Sequence, residues 1–162
     1  MRNVVIGLCV IAGGAVLLVL WSSINALPAE QLEEIAVTDA QGSLILPNGE
    51  SLSLRIADSE SERTQGLSGV NDLAADEGML FLFPEHRTQG FWMKDMLISL
   101  DIIWIKDQKV IGMELGVEPE DPAQTIYYSP EPVDKVLEVN AGFVAEKGLE
   151  IGDILDITTS EE

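Results

Sequence analysis

The sequence is nearly devoid of the residues from which most catalytic and metal centres are built. Its 162 residues include one cysteine, Cys9, and one histidine, His86. Cys9 lies in an apolar stretch, so the remainder of the chain has neither a disulfide nor a thiolate metal site. As a lipid-modified cysteine it is poorly placed, because Leu8 precedes it where a small residue is wanted. A single histidine excludes a multi-histidine metal centre, and Ser-His-Asp catalysis would rest on His86 alone. That residue sits in PEHRTQG, a turn-like stretch without a G-x-S-x-G elbow, and reads as an exposed loop histidine. There is no P-loop, no G-x-G-x-x-G and no EF-hand spacing. The acidic loop EPEDPAQ at 118–124 therefore carries no specific calcium signature. Neither a metal nor a cofactor is expected.

Basic residues are also scarce. Lys and Arg number 9 against 28 Asp and Glu, for a net charge of −19. Every acidic residue follows Pro28 and only Arg2 precedes it, so the part after residue 28 is more negative still. Such a field repels phosphate backbones and argues against a nucleic-acid partner. It favours solubility and attracts cations or basic partners.

What the sequence does have is a long apolar run. Residues 4–21, VVIGLCVIAGGAVLLVLW, carry no charge, and as a helix they would span about 27 Å, the short end of a bilayer core. The run exceeds the apolar part of a cleavable signal, and SSINALPAE after it offers no clean small-x-small cleavage site. An uncleaved anchor at 1–27 is the expectation, with a cleaved signal as the alternative. Arg2 before the run and Glu30, Glu33 and Glu34 after it place the rest on the extracytoplasmic side of the cytoplasmic membrane. Residues 28–34 read as a linker, 35–158 as one domain and 159–162 as an acidic tail.

Within the domain the dominant period is two, the repeat of a strand. Ile35 and Val37 suggest a short first strand. Ser43–Pro47 and Ser51–Ala57 flank Asn48-Gly49, which predicts a hairpin with a type I′ turn. Ser59 with Glu62 forms a capping-box pattern and Gly66 stops the helix between them. Further strands are predicted at 78–83, 91–96, 100–105, 109–117, 126–128, 135–139 and 154–158. Asn140 is expected to cap a second short helix ending at Lys147-Gly148. About nine short strands with two short helices predict a mainly β fold, a β-sandwich or barrel-like domain.

The chemistry concentrates in FWMKDMLISLDIIWI, residues 91–105. Leu100, Ile102 and Trp104 share one strand face and Asp101, Ile103 and Ile105 the other, so Asp101 stands in an apolar row. Lys94 alternates with Trp92 and Met96 in the same way. A buried charge persists only when paired and hydrogen-bonded. Asp101 and Lys94, with Arg63 or Glu138, are therefore expected to meet one another or a ligand. Three readings stay open: a structural polar network, a small-molecule pocket walled by Phe91, Trp92 and Trp104, or acid–base chemistry using Asp101 with Asp95 or His86.

RTQGLSG at 63–69, GMLFLF at 78–83, FWMKDM at 91–96, LDIIWI at 100–105 and VLEVNAG at 136–142 resemble, in order and spacing, the domain-of-unknown-function family 192, also called uncharacterised protein family 0127. The resemblance covers about residues 35–158. It implies a compact β-rich domain, often behind a signal or anchor, and brings no established activity or catalytic residues. Arg63, Trp92, Lys94, Asp101 and Glu138 match the family pattern. Asp95, Met96 and Ser99 depart from it, and so does Val70, where relatives often carry a base. The expectation is a membrane-tethered, non-enzymatic β domain that binds a small polar ligand or an envelope protein through Arg63, Trp92, Lys94, Asp101 and Glu138. A carboxylate-based hydrolase and a purely structural interaction module are the alternatives.

Overall fold

The computed structural model describes residues 41–119 and 125–159, all of which fall in one compact unit spanning Val37–Glu162. The apolar run, the linker, the strand expected at Ile35–Val37 and most of the 118–124 loop lie outside the described residues. Among the described residues, no helix is long and apolar enough to cross a membrane.

Nine strands and two short helices follow one another: β1 (Gln41–Ile45), β2 (Ser51–Ala57), α1 (Glu60–Gln65), β3 (Glu77–Arg87), β4 (Gly90–Phe91), β5 (Leu100–Lys106), β6 (Lys109–Val117), β7 (Tyr127–Tyr128), β8 (Val133–Asn140), α2 (Phe143–Lys147) and β9 (Asp156–Thr159). Seven of the strands form one open sheet in the order β6-β5-β8-β3-β2-β1-β9, and β4 pairs separately with β7. All pairings in the large sheet are antiparallel except β2 with β3, between which α1 makes the crossover. The two ends of the sheet are tied where Lys109 bridges Ile154 and Val110 exchanges backbone hydrogen bonds with Gly152 and Asp153. Thr159, expected to begin the tail, still pairs with Gly42.

The sheet is buried on both faces. One face packs Leu44, Leu54, Leu80, Ile103, Ile105 and Leu137 with α2 residues Phe143 and Val144. The other packs Met79, Phe81, Leu100, Ile102, Trp104 and Val136 with loop residues Leu67, Leu73, Met93 and Met96. β5, between β6 and β8, buries Leu100 through Ile105 without a break. This is why LDIIWI shows no polar alternation: a strand covered on both sides gains about 1.5–3 kcal/mol per large apolar side chain whichever way it points.

Local signals set the connections. Ser59 and Glu62 form both halves of the capping box that starts α1, and Gly66 closes it. The β1–β2 turn corrects the expected type I′ geometry. Gly49 has positive φ (86°) but Asn48 does not, and the turn is closed by Gly49 N–H to Leu46 O and Leu46 N–H to Glu50 O. Pro47, with φ fixed near −65°, favours an ordinary turn, leaving one left-handed residue, Gly49, to restore the register. α2 starts at Gly142 rather than Asn140, whose side-chain amide instead donates to the carbonyls of Leu73 and Ala74.

The strand expected at 91–96 is also corrected, since only Gly90 and Phe91 pair. Beyond them Asp95 takes a left-handed φ of 57°, and its carbonyl accepts the Gly69 N–H at 2.9 Å. The Lys94 carbonyl accepts the Ser68 hydroxyl. Residues 92–96 thus bond to the loop after α1 and not to a neighbouring strand. An Asp tolerates this left-handed geometry, which a strand does not contain.

Candidate functional site

β3 and β8 run antiparallel, with Met79 opposite Glu138 and Phe81 opposite Val136. Side chains two apart along a strand share a face, so Glu138 falls in the apolar row that also holds Met79, Phe81 and Phe83. The loop after α1 and the segment from Gln89 to Met96 rise around this row without filling it. They leave a cavity of about 330 Å³, lined by Arg63, Phe81, Phe83, Phe91, Trp92 and Glu138 with Gln89 and residues 64–68. This size is at the lower end for small-molecule sites. Phe91 braces the walls, its ring edge-on to Phe81 at 4.8 Å, to Phe83 at 6.5 Å and to Trp104 at 5.7 Å.

Glu138 is 5% exposed and has no hydrogen-bond or ion-pair partner among the described residues. Burial pushes its carboxyl up to about 8. Near neutral pH it is therefore a protonated acid, able to donate one hydrogen bond and accept others. Arg63, on α1, lines the same cavity. One guanidinium nitrogen, Nη1, donates to the carbonyls of Asp58 and Leu82, and the group lies 5.4 Å from the centre of the Phe83 ring. A second depression adjoins the cavity, sharing Thr64, Gln65, Ser68 and Trp92 and adding Lys94 and Asp95. Lys94 Nζ lies 5.4 Å from the Trp92 ring centre.

The structure thus brings Arg63, Trp92 and Glu138 into one cavity, with Lys94 at its margin. Two expectations are corrected. Lys94 and Trp92 are exposed rather than buried, because the segment that carries them leaves the sheet after Phe91. Asp101 is buried as expected, at 1% exposed, but meets neither Lys94, Arg63 nor Glu138. Its carboxylate accepts three backbone N–H groups: Gly116 at 2.8 Å, Gly142 at 3.0 Å and Val144 at 3.0 Å. Two of these are free amides at the start of α2, which lacks a capping side chain of its own. Asp101 supplies that cap from another strand. Both oxygens are engaged and enclosed, so the acid–base reading that needed Asp101 at a solvent-reachable cleft finds no support in this geometry.

Trp104, expected as a pocket wall, lies one layer deeper at 0% exposed, and its indole N–H has no partner among the described residues. His86 is exposed as expected, though near the end of strand β3 rather than in a turn. Its Nε2 stands 3.2 Å from Asp107 and 3.5 Å from Asp134. These three offer ligand atoms within 4.8 Å of one another. Lys135 already pairs with Asp134, and the Asp107 amide donates to it, so the cluster is compensated without an ion. The residues that sequence reasoning missed are Phe81 and Phe83. Their alternation in GMLFLF carried the signal, since it puts both rings on the Met79 face.

Comparison with known proteins agrees with this architecture. No curated protein matches the chain significantly. A crystal structure from Sinorhizobium meliloti 1021, described as that of a candidate transcription regulator, is similar at 36% identity and a TM-score of 0.65, over 72% of this chain and 92% of that one. A protein of unknown function from Novosphingobium aromaticivorans is similar at 29% identity and a TM-score of 0.66, over 72% of this chain and 83% of that one. The family model described as Uncharacterized ACR matches residues 44–157, from the middle of β1 into β9. The chain belongs to that family, domain-of-unknown-function family 192.

Proposed function

We propose that this protein is a non-enzymatic binding module for a small organic ligand, held on the outer face of the cytoplasmic membrane by residues 4–21. The observation that carries the binding reading is the unpartnered carboxyl of Glu138 at the floor of an aromatic-walled cavity. Its oxygens open onto the cavity, so the hydrogen bonds that the protein does not supply are left to whatever fills that space. Aromatic walls with a few convergent polar groups are the composition of small-molecule sites. The membrane placement draws on the uncharged run and on the distribution of Arg2 and the glutamates around it. A second reading, docking of an envelope protein, draws on Trp92, Ile126 and Tyr128, which are 51%, 45% and 59% exposed on and beside the small β4–β7 pair.

The test is a thermal-shift screen of the full-length chain against small acids, amines, sugars, nucleotides and metal ions. A ligand at a hundred times its Kd stabilises by about 2.7 kcal/mol, a readable rise in Tm. The expected hit loses its effect in Trp92→Ala and Glu138→Gln. A wholly flat screen, or a hit indifferent to both variants, refutes the cavity reading.

A further inference from the structure

Charge around the cavity runs against the charge of the whole chain. Five of the eight basic side chains among the described residues stand within ion-pair distance of a carboxylate: Arg55 with Glu77, Arg87 with Glu85, Lys106 with Glu131, Lys135 with Asp134, and Lys147 with Glu50 and Glu146. Arg63, Lys94 and Lys109 make no such pair among the described residues. Arg63 lines the cavity and Lys94 lines the depression that adjoins it. With 28 acidic residues in the chain, a carboxylate partner for each base would be easily supplied. Instead Arg63 is pinned by two carbonyls and the Phe83 ring through Nη1, which leaves Nε and Nη2 unused among the described residues. Asp95 lines the adjoining depression without forming an ion pair with Lys94.

The ring faces point the same way. A cationic ligand would need an open aromatic face, but the Phe83 and Trp92 rings already carry Arg63 and Lys94 at 5.4 Å each. A second cation there would be repelled by the first. An anion would complete both arrangements, and a guanidinium fixed in place loses little freedom when it binds a carboxylate. Glu138, which lines the same cavity, presents a carboxyl group to the body of the ligand.

We infer that the cavity takes a small organic acid, its carboxylate held at the rim by Arg63 with Lys94 nearby and its flat apolar body lying against Phe83, Phe91 and Trp92 above Glu138. This assignment rests on the binding reading proposed above and narrows it to one ligand class. The chain's net charge slows such a ligand's approach, so selectivity comes from these two local cations and is sensitive to salt.

Three probes with one phenylpropyl body test it on the full-length chain: 3-phenylpropionate, 3-phenylpropionamide and 3-phenylpropylamine. Binding is followed by NMR, through the ring signals of Phe83, Phe91 and Trp92. The carboxylate is expected to bind at least fivefold more tightly than the amide, and the amine most weakly. Arg63→Gln should bring the carboxylate down to the level of the amide. Lys94→Gln, at an exposed position that cannot endanger folding, should weaken the carboxylate about twofold to fivefold. Amine or amide binding equal to that of the carboxylate overturns the acid assignment and leaves the cavity reading intact. So does a carboxylate affinity indifferent to both substitutions. No ring shift with any of the three probes overturns both.

Discussion

Replacing Glu138 by Gln keeps the shape of the side chain and removes its titration, so the pair of proteins isolates one proton. In the unfolded chain this carboxyl ionises near its ordinary value of 4.5, and in the folded protein burial raises it to about 8. Between those two values the folded state holds a proton that the unfolded state has lost. Stability therefore falls as pH rises, by up to about 1.4 kcal/mol per pH unit, and levels off above pH 8. Over the full window the loss has a ceiling of about 5 kcal/mol, and solvent entering the cavity brings it down towards about 2–3 kcal/mol. Glu138→Gln lacks this loss. Other carboxylates act in the opposite sense and at lower pH: Ser59 holds Glu62 down through its amide and hydroxyl, and Arg55 holds Glu77 down. Both proteins share those groups, which cancel in the difference. The assay is urea unfolding followed by tryptophan fluorescence at half-unit steps from pH 5 to pH 9. The two proteins should agree near pH 5 and diverge steadily, with the variant more stable by about 2 kcal/mol or more at pH 8.5. Parallel curves would show that Glu138 is ionised and compensated in the fold, and the account of the cavity floor would be wrong.

Three further outcomes follow from the same geometry. Asp101→Ala strands the amides of Gly116, Gly142 and Val144 and should cost about 3–5 kcal/mol in equilibrium unfolding. A loss below about 1 kcal/mol would mean that α2 is capped in some other way. Lys94→Ala should change stability by less than about 0.5 kcal/mol in the same assay, because the side chain is exposed and unpaired. Gly112→Ala places a Cβ 2.9 Å from the ring of Pro130 and 3.2 Å from Trp104 Cδ1, so a Tm drop of several degrees is expected. An unchanged Tm would show that this contact yields freely.

Much of the sheet was legible because its strands are short, apolar and bounded by turn residues. β2, β5 and β6 sit where the period of two placed them, and Asp107 turns β5 into β6 with a left-handed φ of 58°. The strand expected at 91–96 was not legible as a loop, since Trp92, Lys94 and Met96 fall at the alternate positions of a strand. Met93 and Met96 do turn inward and cover the sheet, while Trp92 and Lys94 turn outward to the cavity margin. Inward positions three apart belong to a loop with one side on the core, where a strand would bury alternate residues. Nothing local separates the two cases. The deciding interactions are hydrogen bonds from Ser68 and Gly69, more than twenty residues away.

The two buried carboxylates show where the reading of function from sequence stops. Asp101 and Glu138 carry the same local signature, one acid inside an apolar β run, and both are at least 95% buried. The expectation that such acids would pair with Lys94 or Arg63 assumed that a buried charge seeks an opposite charge. Asp101 instead found three backbone amides, contributed by residues 15 to 43 positions further along the chain. Backbone donors leave no mark in the sequence, because every residue except proline has one. Glu138 found nothing among the described residues and stays in the fold by holding its proton. The difference lies in which sheet face each occupies. Asp101 points to the side closed by α2, whose free amides need an acceptor. Glu138 points to the side covered by α1, the β4–β7 pair and loops, which leave space above it. A satisfied acid and an unsatisfied one thus arise from one sequence pattern, and only the unsatisfied one faces a cavity that a ligand could enter.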